Sequence, residues 1–121
     1  MKTIITGTRT FIDYNQFDFL LEELIADKNL QITEVFSGLA AGPDSMGKIW
    51  AEERKIPVRE FPANWDEFGN SAGPIRNREM LNAGAECLIL FFDGKSAGSK
   101  NILKQAKEKK LKNIFVFRLD S

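Results

Sequence analysis

Histidine is absent from this chain of 121 residues, and cysteine occurs once, at Cys87. Without imidazole, the commonest metal ligand and the commonest general base near neutral pH are both missing. Ser-His-Asp hydrolysis, zinc sites and phosphotransfer through histidine are thereby excluded, and no metal or other cofactor is expected. One cysteine forms no internal disulfide. Set in the apolar run CLILFF, Cys87 reads as core packing in a reducing compartment. No apolar run approaches the ~18 residues of a membrane-spanning helix. The opening MKTIITGTR lacks the long apolar stretch of a signal peptide and reads as a first strand, so a cytoplasmic protein is expected. Charge of one sign is lacking too, because 17 Lys and Arg balance 17 Asp and Glu. No global field therefore draws the chain to nucleic acid or to an anionic membrane. The locally basic stretch 104–112, KQAKEKKLK, reads as a solvated helix face with cations near its C-terminal end.

What is present is the composition of an ordinary globular domain, 43% apolar and 28% charged. The length suits one domain spanning residues 1–121, with no internal repeat or low-complexity tract. Five short runs rich in Ile, Val, Phe and Leu, at 3–6, 32–37, 58–61, 87–92 and 113–117, predict strands covered on both faces. Between them, apolar residues recur at helical spacing: Phe17, Leu20, Leu21, Leu24 and Ile25, then Met46, Ile49 and Trp50, then Ile102, Leu103 and Ala106. Asp44 and Ser99 stand where N-caps belong. Alternating β and α elements imply an α/β fold: a Rossmann-like three-layer sandwich on a mostly parallel five-stranded sheet in the order 3-2-1-4-5. Ligands in such sheets bind beyond the carboxyl ends of the strands, at the switch point between strands 1 and 4.

The residues at those strand ends are therefore the ones to weigh. They are Gly7, Thr8 and Arg9 after strand 1, and Ser37, Gly38, Gly42 and Asp44 after strand 2. Trp65, Arg76 and Asn77 follow strand 3, and Gly94, Gly98 and Ser99 follow strand 4. Glycine lets backbone amides approach an anion, and a helix N-terminus behind it adds partial positive charge. Arginine matches phosphate geometry with its planar fork. Each residue also has a plain structural alternative: Gly7 as a turn, Arg9 as a surface ion pair, Asp44 as a cap, Trp65 as core. Trp50, on the apolar stripe, reads as core. The stretch 63–80, ANWDEFGNSAGPIRNREM, predicts a long ligand-facing loop over 65–76 that ends on a helix N-terminus. Neither G-x-x-x-x-G-K-[ST] nor G-x-G-x-x-G occurs, so a P-loop and the usual NAD fingerprint are unsupported.

Taken together, these residues resemble the YspA-type SLOG family, small Rossmann-like domains of bacteria and phages. The correspondence begins with Gly7, Arg9 and Phe11, then Gly38, Ala40, Gly42 and Asp44, and continues through Trp50, Ala51, Ile56 and Pro57. It closes on the block Ala63, Trp65, Gly69, Ala72, Gly73, Pro74, Arg76, Asn77 and Met80. The wider superfamily holds LOG-type phosphoribohydrolases, DprA single-strand DNA proteins and sensors of NAD-derived nucleotides. The resemblance implies a nucleotide or phosphoribose ligand at the glycine loops, and a bacterial or phage-infected host cytosol. The loop after strand 4, DGKSAGSKN, departs from the LOG enzymes, whose P-G-G-x-G-T-x-x-E supplies a catalytic Glu. Here Ile102 stands near that offset and no acid follows until Glu108.

Three functions follow as expectations. The first is a binding module that senses or sequesters a nucleotide-derived small molecule, with Arg9 and Arg76 on phosphate, Trp65 on the base and Asp44 on a ribose hydroxyl. The second is a hydrolase of N-glycosidic or phosphoribosyl bonds, with Asp44 (or Asp93) and Arg76 as its candidate catalytic groups. The third is single-stranded DNA binding, against which the balanced charge argues. A homo-oligomer is expected from the apolar surface of the middle helices.

Overall fold

The computed structural model describes residues 1–119. Its five strands are β1 (Lys2–Gly7), β2 (Glu34–Ser37), β3 (Val58–Glu60), β4 (Cys87–Phe92) and β5 (Asn113–Arg118). All pair in parallel, in the order β3-β2-β1-β4-β5. The helices are α1 (Tyr14–Lys28), α2 (Pro43–Glu53), α3 (Trp65–Phe68), α4 (Ala72–Asn82) and α5 (Ala97–Glu108), with a 3-10 turn at Gly69–Ser71.

The period of two along each strand divides the core into two layers. Ile4, Leu88 and Leu90 point to the layer that holds Met80 of α4 and Ile102 of α5. Ile5, Ile89 and Phe91 point to the other, with Phe17 and Leu21 of α1 and Met46 and Trp50 of α2. All six residues of β4 are buried, as a central strand covered on both faces requires. The Cys87 thiol lies within the second layer, where burial pushes its pKa up to about 11 and keeps it a packing group.

Local chemistry sets the element boundaries and corrects several expectations. The second strand starts at Glu34 rather than 32, since its pairing with β1 begins there, opposite Lys2. Helix α1 starts where the Asp13 carboxylate accepts from the Gln16 amide, and it stops at Asn29 in the left-handed region. Asp44 and Ser99 are not caps. Gly42 precedes α2 with Pro43 at the first helical position, and the hydroxyl of Ser96 caps α5 by accepting from the Ser99 amide.

The largest correction concerns the predicted loop 65–76, which is almost wholly helical. Asn64 caps α3 by accepting from the Glu67 amide at 3.1 Å, and α4 already starts at Ala72. Gly73 and Pro74, expected within that loop, occupy the first turn of α4, where a proline loses no intrahelical bond. Arg76 and Asn77 therefore project from rigid helix rather than from a loop.

Candidate functional site

The switch point lies between β1 and β4, and the expected cleft is there. It is a concavity of about 360 Å³ beyond the carboxyl ends of the strands. Its floor is Thr6 and Gly7 of β1, and Gly7 lies against Phe91 of β4. Gly73 and Pro74 open α4 on one wall, and Ala97, Gly98 and Ser99 open α5 on another. Asp44, from the first turn of α2, lies at the base. The N-terminus of α5 thus faces the cavity with about half a positive charge, whereas α4 continues from the 3-10 turn, its Ala72 amide spent on the Gly69 carbonyl and Pro74 carrying none. The first amides of a helix have no intrahelical acceptor, and those of Ala97 and Gly98, residues that line the cleft, have no partner among the described residues. At Gly98 an added Cβ would meet nothing within 4 Å, which marks open space directly over that helix end.

Arg76 is the buried cation of the site, at 8% exposure. Its Nη1 donates to the Gly38 carbonyl at 2.7 Å and its Nε donates to Asn77 Oδ1 at 3.1 Å. Nη2 has no acceptor among the described residues. No buried side-chain nitrogen or oxygen there lacks a partner, so Nη2 is an open donor at the cleft. Burial lowers the guanidinium pKa and the nearby Asp44 counteracts this, and arginine stays protonated in any case. Asn77 donates from Nδ2 to Asn101 Oδ1 at 3.1 Å, and Gln105 donates to that same oxygen at 2.7 Å and to the Pro74 carbonyl at 3.1 Å. This polar clamp holds the starts of α4 and α5 at a fixed separation.

Asp44, at 1% exposure, is the one carboxylate lining the cleft among the described residues. Its Oδ1 accepts from the Thr6 hydroxyl at 2.6 Å and its Oδ2 accepts from the Ala40 amide at 3.4 Å. Burial raises its pKa, and this outweighs the lowering by Thr6, Arg76 and the amides of Ala40 and Gly7. Gly38 is where these groups meet. A Cβ there would lie 2.7 Å from Asp44 Oδ2 and inside contact distance of Arg76 Nη1, so only glycine leaves them room.

Trp65 starts α3 and leans over α4, with 47% of its surface exposed. The Arg9 guanidinium lies over its ring, 5.6 Å from the centroid, within cation–π range. Leu39, beside them, holds φ at +66°. For a leucine, the left-handed region costs about 1–2 kcal/mol.

The remaining expected residues hold the rim without lining the first cavity. The Thr8 hydroxyl accepts from the Asp93 amide at 3.1 Å, tying the turn after β1 to the turn after β4. The Ser37 hydroxyl donates to the Asp44 carbonyl at 2.9 Å. Gly42 holds φ at +83°, and a Cβ there would come within 2.8 Å of the Thr8 carbonyl. Gly94 is turned away from the cleft and makes room for the Arg118 guanidinium. Asp93, the other carboxylate considered, accepts from the Lys95 and Ser96 amides at 2.8 and 3.0 Å; these amides lower its pKa and commit it to the turn. Sequence reasoning missed Thr6 and Asn101 as lining residues, while Asn70 and Ser96 lie within the stretches it placed at the site without being singled out. Asn101 had a signal, since it stands one helical turn beyond Ala97 on the same face. Thr6 had none, because its role depends on Asp44 arriving from another element.

The fold and the cleft define a Rossmann-like α/β module whose concave site sits at the sheet's switch point. More specifically, the chain belongs to the YspA, cpYpsA-related SLOG family, whose model matches residues 1–68. It is also similar to the Gene 61 protein of Mycobacterium phage D29, with 30% identity over 113 residues that cover 88% of this chain and 89% of the phage protein. No solved structure matches significantly. The family match ends at Phe68, so it takes in β1 to α3 and leaves α4 and α5 outside.

Proposed function

We propose that the cleft binds a nucleotide-derived small molecule, holding it as a sensing or sequestering module. The observation that carries this reading is the α5 N-terminus facing the same cavity as the open Nη2 of a buried Arg76. Helix amides, helix dipoles and a guanidinium fork are the groups that hold phosphate. Open space above Gly98 lets an oxygen approach the amides. Trp65 offers a ring face for a base, and Asp44 with Thr6 offers an acceptor to a ribose hydroxyl.

A thermal-shift screen against adenine and guanine nucleotides, ADP-ribose, NAD and cyclic dinucleotides tests the reading. A ligand at about a hundredfold its dissociation constant adds ~2.7 kcal/mol. For a chain of 121 residues that is a rise of about 10 °C. In Arg76→Ala the rise is expected to vanish. No shift with any of these compounds overturns the proposal.

One observation favours a second reading, hydrolysis of an N-glycosidic bond. Asp44 is a cleft carboxylate whose pKa is raised, as a general acid requires. Chromatography of incubated nucleotides distinguishes the two readings. Released base that disappears in Asp44→Asn, with binding retained, supports the hydrolase. An unchanged nucleotide supports the binding module.

A further inference from the structure

A second cavity, of about 260 Å³, opens beside the first and differs from it in chemistry. Its walls are Leu39, Ala40, Ala41, Pro62 and Ala63, with Trp65 closing one side. The first cavity is faced instead by Asp44, Asn77, Ser99 and the helix ends. Arg9, Ala40, Trp65 and Arg76 border both, so the two cavities meet at a waist. The stacked pair of Arg9 and Trp65 stands at that waist. Small-ligand sites run from roughly 300 to 1,000 Å³. The second cavity is too small to be such a site alone, and the two joined fall well inside the range.

Leu39 adds an independent observation. It combines a left-handed backbone with a side chain left 37% exposed on an apolar wall. Neither core packing nor solvation selects that combination at a tight turn, where glycine or asparagine is the ordinary choice. A ring seated against the side chain supplies a reason.

We propose that the two cavities form one two-chambered site, and that the second chamber takes the flat, weakly polar ring of a ligand whose phosphate sits in the first. This rests on the phosphate reading given above and assigns the base its place. Arg9 and Arg76 flank the waist through which the ligand passes, and either guanidinium can meet a phosphate oxygen there. Trp65 borders the second chamber with Arg9 over its ring, so a ring seated there perturbs the indole and a phosphate in the first chamber alone does not. Trp50, the other tryptophan, is buried beneath α2 with its Nε1 bonded to Glu22, and supplies a constant background.

The test is calorimetric titration, with tryptophan fluorescence in parallel, of ribose 5-phosphate and of adenosine and guanosine 5′-monophosphates. At least one monophosphate is expected to bind about tenfold or more tighter than ribose 5-phosphate, the factor a stacked base supplies. Only the monophosphates are expected to change the fluorescence. Leu39→Gly suits the left-handed backbone and keeps the fold, while Ala63→Phe fills the chamber. Both are expected to remove the tenfold advantage and leave ribose 5-phosphate binding unchanged. Equal binding of all three probes, or an advantage that survives both variants, overturns the second chamber and leaves the phosphate cleft standing. Binding of none of them overturns the second chamber as the seat of a monophosphate's base, and the phosphate cleft falls with it when the wider screen is also empty.

Discussion

At Asp44 the environment of one side chain sets a pH dependence opposite to that of most carboxylates. Its folded pKa is raised above the unfolded value near 3.9, so the folded state binds the proton more tightly. The group's contribution to stability is present below the unfolded pKa and is lost as pH rises through the folded one. Asp44→Asn removes that titration. Measured by thermal unfolding between about pH 4 and pH 7, the native chain is therefore expected to lose ground against the variant as pH rises. A constant difference across that window would contradict the burial argument. Gly98 supplies a second residue-scale test. A methyl there meets nothing and removes a helical glycine, so Gly98→Ala is expected to gain up to about 1 kcal/mol. The same methyl covers the α5 amides, so affinity for the ligand found in the screen is expected to fall while the melting temperature rises. Much at this scale was legible: Arg76 after Gly-Pro-Ile, Trp65 between Asn and Asp, and glycines at strand ends each marked a place to look. The left-handed backbone of Leu39 was not, since leucine has no local preference for it.

Elements meet at glycines, and each junction predicts a different severity. At Gly7 an added Cβ would press into the Phe91 carbonyl oxygen and lie 2.9 Å from Pro43 Cγ. Backbone of the central strand cannot yield, so Gly7→Ala is expected to cost about 3 kcal/mol or more in denaturant unfolding. At Gly38 the obstacles are the tips of Arg76 and Asp44, which can shift. Gly38→Ala is expected to cost about 1–3 kcal/mol and to abolish ligand binding by displacing Arg76. Equal destabilisation by the two variants would contradict this ordering. Strand and helix periodicity placed most elements to within a few residues, because burial on one face or two writes itself into the pattern. The segment 65–76 was misread because glycine and proline mark chain breaks and first helical turns alike. Only the cap at Asn64 and the packing of α4 against α5 decide between them.

Across the whole molecule the balanced charge is unevenly spread. Helix α1 carries Asp18, Glu22, Glu23 and Asp27 against its own Lys28 and against Arg54, which pairs with Asp18 and Glu22, while α5 carries Lys100, Lys104 and Lys107 against Glu108. These helices cover opposite faces of the sheet. The homo-oligomer expected from sequence stays a proposal, in which the acidic face of one copy meets the basic face of another. Light scattering is expected to give a mass above 13.7 kDa at low salt that falls as salt screens the contact. A monomer mass at every salt concentration would remove it. Among the described residues no helix is long and apolar enough to cross a membrane. The sequence by itself determined the α/β class, the strand order and the rim where a site belongs, because hydrophobic period and right-handed crossovers are local and chiral constraints. Only the tertiary structure decided which rim residues share the cleft. Arg76 reaching the Gly38 carbonyl, Thr6 meeting Asp44, Gly94 turning away and Trp65 parting two chambers each depend on distances between elements far apart in the chain. Those distances are set by packing of the two helical layers on the sheet.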